Sequence, residues 1–270
     1  MGQWRLDDIP WHELDRSKLT PDLIAIVKAA CMVEHHGADY GTYLGNVFHD
    51  DLEFVAAARA WAVEEVQHGQ ALRKYAELAD PSFDFDDAFG RFVAGHRLPL
   101  DVSESVRGSR CGELIARCIV EAGTSSYYSA LEDSVEEPVL KLLCAKIAGD
   151  EFRHYKLFYS HMKRYQESER LSLFARARVA FGRLFESRDD ELGYAYYCGS
   201  GDTAPYDRGR CTRSYARITF QRYRFNHFER GFGMVLKAIG LKPQGLIGRN
   251  LTKLGWWLFR QQARRLQASA

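Results

Sequence analysis

No part of this sequence restricts its fold more than an arrangement of acids and histidines that occurs twice. Glu65 and His68 are three residues apart, and so are Glu151 and His154. On helices each pair projects from one face and can reach the same ion. Glu34 precedes Glu65 by 31 residues and Glu121 precedes Glu151 by 30. Such a separation lets an antiparallel neighbour helix return its own carboxylate to the same level. The copies align more widely: Val33-Glu34 with Tyr40 corresponds to Val120-Glu121 with Tyr127 at an offset of 87. Glu64-Glu65-Val66-Gln67-His68 corresponds to Asp150-Glu151-Phe152-Arg153-His154 at an offset of 86. Two helical hairpins related by a pseudo-twofold axis follow from this repetition.

The repeat gathers four glutamates and two histidines. Four carboxylates buried together repel one another and carry a heavy desolvation cost unless cations neutralise them, so the pattern predicts two divalent ions. Oxygen-rich ligands with one imidazole per ion suit iron or manganese better than structural zinc, which favours closed sets of Cys and His. A lone Glu-x-x-His usually marks a solvated helix face; here it recurs with a glutamate at nearly the same distance upstream. His35, His36, His49, His96, His161 and His227 lack this context and read as surface or packing residues.

The residues around the repeat have helical period. Pro21, Pro81, Pro99 and Pro138 divide the chain into helices near 22–48, 52–79, 111–133 and 136–166. The stretch 80–110 reads as a long crossover that carries a short helix around 87–95. A helix near 171–187 follows, then a loop rich in Gly and Tyr around 193–212, then helices near 213–239 and 245–267. The class is all-α, with an N-terminal arm over 1–20, a four-helix bundle over 21–168 and a basic helical extension over 169–270. A content of 46% hydrophobic and 13% aromatic residues in 270 supplies a substantial core. Six scattered cysteines without a C-x-x-C pair predict neither a zinc ribbon nor a disulfide framework. No apolar run is long enough to span a bilayer and the N-terminus has no signal-peptide layout, so a soluble cytoplasmic protein is expected.

The near-neutral net charge of +1 conceals two halves: residues 208–270 carry +13 and residues 1–207 carry −12. Either the basic part folds over an acidic body or it meets an anionic partner. Between Gly231 and Arg265 apolar groups, among them Trp256 and Trp257, alternate with Lys237, Lys242, Arg249, Lys253, Arg260, Arg264 and Arg265. That composition suits an interfacial helix on anionic lipid at the inner face of a membrane, or a helix pair that presents arginines to an acidic carrier protein. Nucleic acid is the weaker option because no recognised binding module accompanies the charge.

Family resemblance enters at the repeat. The stretch Trp61-Ala62-Val63-Glu64-Glu65-Val66-Gln67-His68-Gly69 resembles the W-x-x-E-E-x-x-H-G segment of soluble acyl-carrier-protein desaturases, within the ferritin-like di-iron superfamily. Ala148-Gly149-Asp150-Glu151-Phe152-Arg153-His154 is similar to their A-x-D-E-x-R-H segment, and Glu121-Ala122-Gly123-Thr124 to their E-x-x-T element. The resemblance covers roughly residues 24–165, and Gln67 stands where that family carries arginine. It implies a ferritin-like bundle in which Glu65 and Glu151 bridge two irons, Glu34 with His68 holds one, and Glu121 with His154 holds the other. It makes Thr124 a candidate active-site hydroxyl; the alternative is a helix-interior threonine bonded to a carbonyl one turn back. Glu64 and Asp150 are candidates to accept the remaining imidazole N–H of the opposite hairpin's histidine, or are surface carboxylates paired with Arg153 or lysines.

Gly37, Gly41 and Gly45 form a small-residue stripe beside Glu34 that permits close helix contact or leaves room for a slender apolar substrate. Tyr40, Tyr43, Tyr127 and Tyr128 fall near the inferred site as core residues or hydrogen-bond donors. The leading functional reading is an O2-dependent di-iron oxidoreductase, a desaturase or hydroxylase acting on an unactivated C–H bond of an acyl or lipid-like chain. It requires two iron ions, or a manganese and iron pair, with O2 as cosubstrate and an external donor such as a ferredoxin-like reductase. Alternatives keep the metals but change the substrate to a quinone, a tRNA or an amine, or replace catalysis by iron oxidation and storage. A monomer or homodimer fits the enzyme readings.

Overall fold

The computed structural model describes residues 4–98, 100–186, 191–202 and 204–268. Pro99 and the end of the expected 171–187 helix lie outside the described residues, as do the first three residues of the arm and the last two of the chain. The described residues form helices and connecting turns, without a strand. They are α1 (Pro21–His35), α2 (Gly37–Val47), α3 (Leu52–Ala79), α4 (Phe85–Gly95), α5 (Arg110–Ser134), α6 (Pro138–Glu169), α7 (Leu173–Glu186), α8 (Glu191–Ser200), α9 (Arg208–Phe220), α10 (Phe225–Ala238) and α11 (Leu246–Ala268).

Most of these starts are written in the local sequence. Thr20, Asp51, Asp84, Ser109, Glu137 and Asp207 each accept a backbone N–H of the first turn that would otherwise lack a partner. Pro21 and Pro138 occupy first-turn positions where no N–H is needed. The left-handed Arg170 ends α6, and Gly240, with φ +90°, follows the end of α10.

Three expectations need correction. The single helix expected over 22–48 is two helices interrupted at His36, with Gly37 opening α2. The helix expected over 213–239 is likewise α9 and α10, separated by residues 221–224, and α9 begins earlier than expected because Asp207 caps it. The loop expected over 193–212 is largely helical, overlapping α8 and the first turn of α9. Its Ala195 and Cys198 are buried, and Gly193 and Gly199 lie so close to Thr212 and Lys28 that a Cβ would come within 2.6 Å and 2.9 Å of their atoms. Packing of α8 on α1, α4 and α9 overrides a composition that reads as loop.

α1 packs on α3, α5 runs along α6, and α3 meets α6, so the two halves of the repeat form neighbouring layers. α7 and α10 cover α5, and α11 lies on α9 and α10 through a cluster of Phe220, Phe228, Trp256 and Phe259 rings. The other side of α11 leaves Leu246, Ile247, Leu254, Trp257 and Leu258 exposed. One apolar cluster takes Ile26 and Met32 of α1, Leu72 and Tyr75 of α3, Tyr128 and Leu131 of α5, and Leu143 and Ile147 of α6. A second takes Leu44 of α2, Phe54 and Trp61 of α3, Leu114 and Ile115 of α5, and Phe158 of α6. On each long helix the repeated acids and histidines fall where one cluster gives way to the other. All six cysteines are unpaired and buried, and among the described residues no helix is long and apolar enough to cross a membrane.

Candidate metal centre

α1 supplies Glu34, α3 supplies Glu65 and His68, α5 supplies Glu121, and α6 supplies Glu151 and His154. All six are buried, and they form two overlapping groups: Glu34, Glu65, His68 and Glu151, and Glu65, Glu121, Glu151 and His154. Within each group the donor atoms lie within 4.8 Å of one another, and Glu65 and Glu151 belong to both. Nδ1 of His68 is 3.6 Å from Glu34 and 3.3 Å from Glu151. Nδ1 of His154 is 2.9 Å from Glu65, 3.6 Å from Glu121 and 3.9 Å from Glu151. An ion bound at roughly 2.0–2.2 Å from N and O ligands holds neighbouring donor atoms about 3 to 3.5 Å apart, close to these separations.

The unpaired atoms point the same way. Oε1 of Glu65, Nδ1 of His68, Oε2 of Glu121, Oε1 of Glu151 and Nδ1 of His154 are all buried without a hydrogen-bond partner. Buried polar atoms are normally paired, and five orphans converging on one space fit a pair of cations.

The other nitrogen of each ring is fixed by a carboxylate from the opposite half of the repeat. Nε2 of His68 lies 3.0 Å from Asp150, and Nε2 of His154 lies 3.1 Å from Glu64. Each contact turns Nδ1 inward. Arg153 also bonds both Asp150 and Glu64, and Asp150 is buried and not a surface carboxylate. Burial works against an ionised Asp150, yet hydrogen bonds from His68 and Arg153 draw its pKa down to about 2.

Protonation in the metal-free cluster follows from crowding. Burial, and then the charge of Glu151, pushes Glu121 up to about 8. Burial and the neighbouring Glu151 and Glu34 likewise raise Glu65. Burial disfavours charged rings at His68 and His154, but the crowd of neighbouring carboxylates, Asp150 beside the first and Glu64 beside the second among them, raises both. Protons thus offset the crowding of carboxylates, and an ion bound there would have to displace them.

Thr124 lies beside the cluster. Its hydroxyl touches Oε2 of Glu151 and also lies 3.2 Å from the carbonyls of Val120 and Glu121. Among the four tyrosines, Tyr128 reaches the cluster, donating to Oε1 of Glu34 at 2.5 Å. Tyr40 bonds Glu191, Tyr43 bonds Glu113, and Tyr127 packs on the Tyr128 ring. Gly37 and Gly41 serve close contact, since a Cβ there would lie 2.4 Å from Cβ of Glu65 and 2.5 Å from Cβ of Ala62. Gly45 has no such neighbour.

Sequence reasoning missed the roof of the cluster. Trp4 donates its indole N–H to Asp150 at 2.7 Å, and its ring lies parallel to His68 with centroids 6.0 Å apart. Gln67, the departure from the desaturase pattern, donates to the carbonyl of Trp4 at 3.0 Å and so ties the arm down. No local signal links Trp4 to residues more than sixty positions away. Compared with protein-family models and with curated proteins, the chain matches none of either.

Proposed function

We propose that the chain is an O2-dependent di-iron oxidoreductase built on a ferritin-like four-helix bundle, acting as a desaturase or hydroxylase on an unactivated C–H bond of an acyl or lipid-like substrate. The observation that carries this reading is the pair of overlapping donor sets, each with one imidazole whose far nitrogen is held by a carboxylate of the opposite half. Glu34 and His68 would hold one ion, Glu121 and His154 the other, and Glu65 and Glu151 both. When bound, two iron ions supply the oxidising power, with O2 as cosubstrate and electrons from an external donor such as a ferredoxin-like reductase.

The protein's own residues supply the rest. Asp150 and Glu64 orient the imidazoles, and Tyr128 orients Glu34. Trp4 covers His68, while the apolar clusters on either side exclude water. The Thr124 hydroxyl, in contact with Glu151, supplies a hydrogen-bond donor at the edge of the site. A lipid-like substrate is supported by α11, whose exposed Leu254, Trp257 and Leu258 accompany Lys253 and Arg260 in a pattern suited to the surface of an anionic membrane.

The test is metal content and the optical spectrum of aerobically purified protein, followed by anaerobic reduction and O2 addition, with Glu121→Ala alongside. The reading requires an iron pair with a near-ultraviolet oxo-bridge band that the variant loses. Iron binding indifferent to Glu121 would sink it. Manganese in one position would appear in the same metal analysis.

A further inference from the structure

A second group of metal-ligating side chains shares no residue with the first: His36, His96 and Glu191. They come from three elements distant in sequence. His36 sits at the break between α1 and α2, His96 caps the end of α4, and Glu191 opens α8. Their donor atoms lie within 4.8 Å of one another. Nδ1 of His36 is 4.0 Å from Oε1 of Glu191, and Nε2 of His96 is 3.6 Å from the same oxygen. These separations resemble those in the paired centre, where they run up to 3.9 Å.

The two rings are held but not satisfied. His96 stacks on Phe92, and His36 meets both Phe92 and His96 edge-on. His36 is 2% exposed, yet neither of its ring nitrogens has a hydrogen-bond partner, nor does Nε2 of His96. A carboxylate approaches the far side of His36, as in the paired centre: Oδ2 of Asp39 lies 3.1 Å from Nε2, outside hydrogen-bond alignment. Tyr40 donates to Oε1 of Glu191 at 3.3 Å and helps fix that carboxylate. A closed network of imidazole and carboxylate hydrogen bonds would leave no such orphans.

We propose that His36, His96 and Glu191 bind a single transition-metal ion of the zinc(II) or iron(II) class, apart from the paired centre. Two imidazoles and one carboxylate match the softer divalent ions and not calcium or magnesium, which take oxygen-rich shells. Three protein ligands leave a coordination position for a further ligand. The ion would also fasten α8 and the end of α4 to the α1–α2 junction.

Cobalt(II) titration of the metal-free full chain tests the site, read by ions bound per chain and by visible absorption. His96→Ala and Glu191→Gln should each bind one ion fewer than wild type and lose one set of cobalt bands. Glu121→Ala should keep those bands while losing cobalt from the paired centre, which separates failure of this site from failure of the di-iron reading. Equal stoichiometry and equal spectra in wild type and His96→Ala would overturn the proposal. If circular dichroism shows His96→Ala unfolded, His96→Gln decides by the same two readouts.

Discussion

Glu121 shows how a buried carboxylate can favour ion binding and still burden the metal-free fold. Its proton is retained up to about 8 because burial and Glu151 oppose the charge. The sign follows from linkage: a raised carboxyl stabilises the fold at pH below its ordinary range, and that contribution disappears as pH rises through about 8. Calorimetry of metal-free protein should therefore show Tm falling across that window, while added divalent ion raises Tm most at its upper end. Titrations in buffers of different ionisation enthalpy should detect proton release on binding, and a pH-independent affinity would contradict this account. In the proposed centre Asp150 would act at one remove, through its contact with His68. Asp150→Ala should lower metal affinity roughly 10- to 100-fold, measured by competition with a chelator, while leaving the far-ultraviolet spectrum unchanged.

Helix α3 is legible to its ends, because Asp51 caps it and one helical period carries its buried face from Phe54 to Ala76, with Glu65 and His68 as the polar positions on it. The same reading could not find the break at His36, since nothing in the local period interrupts there. What separates α1 from α2 is their joint fit against α3, and the glycines on α2 report it. Gly37→Ala should destabilise by about 1–3 kcal/mol in urea unfolding, because the new methyl meets Cβ of Glu65. Gly45→Ala meets nothing and should stabilise α2 by about 0.5–1 kcal/mol. A gain at Gly37 would refute the close-packing explanation. For α11 the exposed apolar row carries the expectation. Leu254→Glu with Trp257→Glu should reduce co-sedimentation with vesicles of anionic lipid and leave metal content untouched.

The roof over the cluster belongs to the molecule as a whole, since it joins Trp4 of the arm, Gln67 and His68 of α3 and Asp150 of α6. Trp4→Ala removes the indole bond to Asp150 and the ring over His68 while every proposed ligand stays in place. Metal release to a chelator should become severalfold faster, with stoichiometry unchanged. Lost stoichiometry would make Trp4 part of the fold and not a cover.

The all-helical class and the six residues gathered at the candidate centre could be read from the chain because helical period makes residues three apart neighbours, and a repeated spacing brings antiparallel helices back to one level. Those are local rules, and they need no knowledge of what packs where. Whatever depends on a contact between distant segments was settled only in three dimensions. α8 forms because buried Ala195 and Cys198 have neighbours to pack on, despite a composition that signals a loop. Trp4 reaches Asp150 because Gln67 holds its carbonyl. His36 and His96, which look like isolated histidines in sequence, meet Glu191 because helix packing determines which side chains share a buried volume.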